Sequence, residues 1–176
     1  MGNLELMKES LGVAISKIGV KEIPPNSNRG PEVEAFLWSV DLPPGNPYCM
    51  AFVFWCVGEA AKKVNLENPL PKTGYTPKFY NWVRKGCLDL PPVSGMELAS
   101  GSLFLLFGKV GNEPNPRVKH VGFCERLDGE ILTTVEGNVE AGRDDEGVLI
   151  PKEQREGGIY RLKRSLSTIF KVVTYG

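Results

Sequence analysis

The chain has 176 residues, 41% hydrophobic and 24% charged, the size and core-forming material of one ordinary globular domain. Lys plus Arg and Asp plus Glu each number 21, so there is no basic excess to hold a phosphate backbone, and nucleic acid is not an expected partner. Four cysteines without paired short spacings and a single histidine argue against a zinc or His-rich metal site, and four cysteines are too few for a disulfide scaffold.

At the N-terminus, Leu4, Met7, Leu11, Ala14 or Ile15, and Ile18 recur at helical spacing, predicting an amphipathic helix over 3–18 that stops at Gly19. Glu5, Lys8, Glu9 and Lys17 interrupt this stretch, so it does not read as a secretory signal, and no other segment is long and apolar enough to span a bilayer. The expectation is a protein made in the cytoplasm, without membrane insertion. The Pro/Asn-rich "IPPNSNRGP" reads as a loop, with Asn28 a candidate for lining a cleft. A second helix begins near Pro31 with Val33, Phe36, Leu37 and Val40 as its buried stripe, and ends before Pro43-Pro44.

The third helix starts near Cys49 and runs to about Val64. Cys49, Phe52, Val53, Cys56 and Ala60 share one stripe while Phe54 and Trp55 lie elsewhere, which predicts a central, enclosed helix. Thr76-Pro77 gives a capped start to a short helix through Trp82 that closes at Gly86. The Pro-rich stretches 65–77 and 88–101 read as surface loops. From residue 102 the period changes to that of strands: "SLFLLFG", "HVGFCERL", "EILTTVEGN", "GVLIP", "GIYRL" and "IFKVVTY". Helices first and strands later predict an α+β domain with an antiparallel sheet, one domain over 1–176.

Cys49 follows the turn Gly45-Asn46-Pro47 and opens a helix, where unpaired N–H groups and the positive dipole end favour a thiolate. A nucleophile needs a base, and His120 is the only histidine available. Glu136 or Asn138, in "VEGN", is positioned to accept the Nδ1 proton and hold the ring in its working tautomer. The competing reading is that Cys49 is a small buried hydrophobe and His120 an ordinary strand-end residue. Cys56, Cys87 and Cys124 read as buried thiols, and Trp82 as core first and substrate platform second.

Together, "PYCMAFVFWC", "KHVGFC" and "VEGN" resemble, in order and separation, the three signature blocks of the CHAP family, the cysteine, histidine-dependent amidohydrolases and peptidases of papain-like fold. Upstream, "GVKEIPPNSNRGPEVEAFL" is similar to the N-terminal part of bacterial and phage members that cut peptidoglycan, so the likeness covers roughly residues 12–140. The resemblance implies Cys49 as nucleophile, His120 as general base, and Glu136 with Asn138 as the polar groups that orient it. It implies hydrolysis of an amide in peptidoglycan through a thioester, with the Cys49 backbone N–H and the Tyr48 hydroxyl as oxyanion donors, and no metal or cofactor. Two departures stand out: Gly101-Ser102 replaces a Gly-Asp pair, and "VDLPPGNPY" offers only Asp41 where some phage members carry a calcium loop, so no structural calcium is expected.

Which residue holds His120 depends on the hairpin around "ERLDGEI". A two-residue turn at Asp128-Gly129 sets His120 opposite Gly137, whereas a three-residue loop at Leu127-Asp128-Gly129 sets it opposite Glu136. The second register also pairs Val121 with Val135 and Cys124 with Leu132, keeping apolar partners together, and so predicts Glu136 as the direct partner with Asn138 one pleat further along that face. Competing functions are a silent wall-binding module and an amidase or acyl-transfer enzyme acting on a small peptide conjugate. A chain without visible export signal suits a phage lysis protein, a toxin injected by a secretion system, or an excised domain, acting in the periplasm or cell wall after delivery, and a toxin's producer would need an immunity protein as partner.

Overall fold

The computed structural model describes residues 2–86, 89–90, 98–143 and 148–175. Four helices, α1 (Gly2–Ser16), α2 (Pro31–Ser39), α3 (Cys49–Lys63) and α4 (Thr76–Gly86), precede the strands of an antiparallel sheet. The sheet is built from β2 (Leu103–Gly108), β3 (Arg117–Asp128), β4 (Ile131–Glu140), β5 (Gly157–Ser165) and β6 (Lys171–Val173), with the two-residue β1 (Asp89–Leu90) at one edge. The strand order is β1-β6-β2-β3-β4-β5. This is the α+β arrangement expected from the sequence, with helices packed on an antiparallel sheet.

The third helix is enclosed because its apolar residues are not confined to one stripe. Met50, Ala51, Phe52, Val53, Cys56, Val57 and Ala60 are all buried. Phe52 makes an edge contact with Phe36 of α2 (ring centroids 5.3 Å) and stands perpendicular to Phe123 of β3 (6.2 Å), so one aromatic chain fixes α3 between its neighbouring helix and the sheet. Leu103, Leu105, Val121, Phe123, Val135 and Ile159 supply the sheet side of this core. The alternate residues Phe104, Cys124, Leu132 and Val172 form a smaller cluster with Leu166 and Ile169, which lie on the connection between β5 and β6 and cover the reverse face.

Several sequence expectations need correcting. Leu4 is 48% exposed, and the buried side of α1 is instead carried by Leu6, Met7, Ser10, Leu11, Val13 and Ala14, because the helix rolls to share its face with α3. "GVLIP" is not a strand: its described part contributes only an isolated bridge between Arg143 and Leu149, and residues 144–147 lie outside the described residues. The loop expected over 88–101 contains β1, paired with β6, while residues 87–88, with Cys87, and 91–97 lie outside the described residues. Thr76 does not cap α4; its hydroxyl donates to the Val118 carbonyl at 2.8 Å and ties the helix to β3.

The β3–β4 hairpin also differs in register. Asp128 pairs with Ile131, leaving Gly129 and Glu130 as a two-residue turn, with Gly129 at φ 58 in the first central position that type II′ turns reserve for glycine. A bulge between Cys124 and Arg126 then shifts the ladder, so Cys124 faces Thr134 and Phe123 faces Val135. Continued along the strands, this register sets Gly122 opposite Glu136 and His120 two residues away on the same face. The expected three-residue loop is thus replaced by a two-residue turn, and beyond the bulge the register lies two residues from the expected one, an even displacement that keeps His120 and Glu136 on one face.

Candidate active site

Cys49 is the first residue of α3 and is 5% exposed. Its predecessor Tyr48 occupies the N-cap position without a side-chain cap, and the first intrahelical bond there runs from Phe52 N–H to the Tyr48 carbonyl at 2.8 Å. The N–H groups of Cys49 and the next residues therefore have no acceptor within the helix and point at the space beside the sulfur. That is a setting for negative charge, both on a thiolate and on an oxygen of an attacked carbonyl.

His120 comes from β3 at a second bulge. Leu106 pairs with His120 but Phe107 pairs with Val118, leaving Lys119 as the extra residue. Such a bulge re-aims the side chains beside it. The imidazole Nε2 lies 2.7 Å from Glu136 Oε2, which leaves Nδ1 as the nitrogen for Cys49. This corrects the expected ring orientation, in which Nδ1 faced the carboxylate. Burial by itself pulls the imidazole pKa down, but interactions with Cys49 and Glu136 outweigh it and raise the value to about 9.

Glu136 has no solvent exposure, and every direction around its carboxylate is occupied. Besides His120 it accepts bonds from Arg164 Nε and Nη2 at 2.6 Å each and from the Thr134 hydroxyl. Burial would push its pKa up; His120 and Arg164 more than compensate and hold it at about 2. The carboxylate is thus ionised throughout the ordinary pH range and fixed by a fork of two parallel bonds. Its reach to His120 depends on Gly122, since a Cβ there would stand 2.7 Å from Phe104 Cε1 and 3.0 Å from Glu136 Cγ. Phe104 closes the other side, with its ring centroid 5.9 Å from that of His120 and 5.6 Å from the Arg164 guanidinium carbon.

The remaining candidates separate. Asn138 sits at a third irregularity, between Gly137 and Val139, with φ 61, and lines the cavity that Cys49 opens into. Tyr48 is wholly buried and its hydroxyl donates to Glu22 Oε1 at 3.0 Å, so that hydroxyl is engaged away from the carbonyl position assigned to it above. Burial, with Glu22 beside it, pushes the Tyr48 phenol pKa well up. Asn28 bonds to Glu22 Oε2 through its N–H at 2.8 Å, and its carbonyl accepts from Gly45 N–H at 3.0 Å, bracing the turn that leads into Cys49. Trp82 stacks on Phe79 with centroids 5.8 Å apart, packs against the core and is not among the residues lining the cavity.

The sequence reading missed Arg164 and Glu22. Arg164 stands on β5, beyond a connection whose pairing the sequence does not announce; its only signal is a charge on the even-numbered residues of "GIYRLKRS", the face that also carries Leu162. Glu22 is 4% exposed and close to Gly157, where a Cβ would come within 2.3 Å of its carboxylate.

The cavity beside Cys49 measures about 560 Å³, within the range of small-ligand sites, about 300–1,000 Å³. A larger one of about 1000 Å³ between Ile18, Lys21 and β5 contains none of Cys49, His120 and Glu136. Among the described residues, no group of three or more His, Cys, Asp and Glu side chains is placed to hold a metal ion, and no helix is long and apolar enough to cross a membrane. A thiol at a helix start, an imidazole beside it and a buried carboxylate behind the imidazole can form a thiolate–imidazolium pair and attack an acyl carbon.

No protein-family model matches the chain, and no curated protein matches its sequence. Among solved structures, that of Ly7917 matches 96% of this chain and 62% of its own, with TM-score 0.51 and 16% sequence identity. A structure titled Ly7917 with the hydrolyzing product of MDP matches over the same shares with TM-score 0.47 and 16% identity. At this identity the likeness is one of fold, and the chain spans less than two thirds of the Ly7917 chain.

Proposed function

We propose that this protein is a cysteine-dependent hydrolase of an amide bond in peptidoglycan, either the bond between muramic acid and L-alanine or one within the peptide stem or cross-bridge. The observation that carries the reaction type is the line Cys49, His120, Glu136, in which the imidazole is held at Nε2 by a buried, ionised carboxylate and meets the thiol through its other nitrogen. The peptidoglycan target rests on the resemblance of the cysteine, histidine and glutamate blocks to wall-cutting CHAP enzymes.

In this reading the Cys49 thiolate attacks the carbonyl carbon, and the oxyanion that forms is met by the Cys49 backbone N–H. His120, protonated at Nδ1, gives that proton to the departing amine, and the C–N bond breaks to leave a thioester. A water then loses a proton to the same nitrogen and attacks the thioester, releasing the acid and returning the thiolate–imidazolium pair. Glu136 stays ionised and keeps the ring from turning. Asn138, which lines the cavity, contacts the substrate in this reading.

The test is digestion of purified sacculi with mass identification of the fragments, which also names the bond. Release of muropeptides by the wild type and none by Cys49→Ala is the expected result. An intact wall together with turnover of a small peptide conjugate would replace the substrate and keep the chemistry; wall binding with no turnover of either would replace the enzyme by a binding module.

A further inference from the structure

We infer that the cavity beside Cys49 contains a carboxylate-binding subsite built by Lys78 and Lys119, which selects substrates whose peptide carries a free acid near the scissile amide. The inference rests on the hydrolase reading above and names the chemical class of its substrate. Among the described residues, four cationic ones line this cavity, Lys72, Lys78, Arg117 and Lys119, and no carboxylate does.

The four are not equivalent. Lys72 is paired with Asp41 at 2.7 Å, and Arg117 with Glu113 at 2.7 Å, with all four side chains partly exposed. The acids that hold them stand outside the cavity lining. Lys78 and Lys119 make no ion pair among the described residues. Lys119 is the extra residue of the bulge that also delivers His120, so its backbone position is coupled to that of the imidazole. Lys78 lies in the first turn of α4, a helix anchored to β3 by the Thr76–Val118 bond. The two therefore approach the cavity from different elements, one from the sheet and one from the helix opposite it.

A pair of unmatched ammonium groups lining one concave site attracts an anion more strongly than the same groups scattered on an open surface. An acyl chain threaded past Cys49 meets them while its carbonyl is at the sulfur. A free carboxylate on that chain accepts charge-assisted bonds, whereas an amidated one leaves the lysines without an anionic partner.

The cations have a second conceivable effect, which is to favour the Cys49 thiolate directly. The two effects separate experimentally, because a subsite acts on the substrate and thiolate stabilisation acts on any electrophile. The experiment compares muropeptides carrying free stem carboxylates with the same muropeptides after chemical amidation, for the wild type and for Lys78→Gln/Lys119→Gln. Iodoacetamide, a neutral reagent, measures the thiolate independently. The wild type is expected to prefer the free acid in kcat/KM by about 10-fold or more, with the preference shrinking as salt is raised. In the double variant the ratio should approach one, through KM, with the alkylation rate of Cys49 unchanged.

Equal wild-type rates on both substrates, or a preference that survives in the double variant, would overturn the subsite. A loss of alkylation rate that accounts for the lost activity would also overturn it and assign the lysines to the thiolate. A wild type inactive on both substrates yet able to bind the free-acid form preferentially would sink the hydrolase reading while keeping the subsite.

Discussion

His120 sits between Cys49 and Glu136, whose interactions outweigh its burial, and this fixes how the site responds to pH. Its pKa is raised, so the imidazolium needed to protonate the leaving amine is present below about 9 and lost above it. The alkaline limb of kcat/KM against pH should therefore fall near 9, as an apparent value that belongs to the Cys49–His120 pair. Glu136→Gln removes one of the groups that raise it, so the limb should move to lower pH and the rate should drop. A limb unmoved in that variant would show that Glu136 does not act on the ring. His120→Ala should lose about 10²- to 10⁴-fold in rate, with no second histidine to take over.

These residues were legible because their signals are local. Cys49 follows a turn and opens an apolar helix, His120 has no rival, and Glu136 shares the parity of His120 within one hairpin. Arg164 was not legible, since its contact with Glu136 forms only after β5 has returned across a long connection to pair with β4.

At the scale of elements, two irregularities and a missing side chain bring the groups together. The bulges in β3 and the glycine at position 122 let the Glu136 side chain run diagonally to His120 along one sheet face. Gly122→Ala places a methyl group against both Phe104 and Glu136. It should destabilise the fold by about 1–3 kcal/mol and reduce activity further than that loss accounts for, because the carboxylate is displaced from the imidazole. Gly137→Ala, whose methyl would press on Phe52 and Ile159 on the helix side, should show a comparable shift in Tm with a smaller loss of rate per folded molecule. Equal losses of rate in the two variants would contradict the diagonal path. Hairpin parity was readable from the alternation of apolar residues, but the turn length was not. The bulge at Cys124–Arg126 offsets part of the difference between turn lengths, and nothing local in the sequence announces a bulge.

For the whole molecule, the buried His120–Glu136–Arg164 network links folding to pH. Glu136 is held at about 2 against an ordinary 4.5, so its contribution is complete above the ordinary carboxyl range and disappears as pH falls through about 2. That contribution is on the order of 3 kcal/mol and is shared with His120 and Arg164 rather than added to theirs. His120, with its pKa raised from 6.5 to about 9, works the opposite way: its part is complete below 6.5 and is lost as pH rises through about 9. The Tm difference between the wild type and Glu136→Gln should therefore be widest between the two ordinary values and narrow in acid and in alkali. A constant difference across that range would mean that the network does not titrate as described. The helix-then-sheet order was visible in the change of period near residue 102, whereas the cover on the reverse face, made by Leu166 and Ile169, depends on a connection with no periodic signal.

The central claim is that an acyl group passes from the substrate amide to the sulfur of Cys49 and then to water. Hydroxylamine intercepts thioesters, so sacculi digested in its presence should yield fragments ending in a hydroxamate, identified by mass, with the wild type and not with Cys49→Ala. Cleavage that continues in Cys49→Ala, or wild-type cleavage that gives only free acid at hydroxylamine concentrations known to trap a reference thioester, would contradict the account.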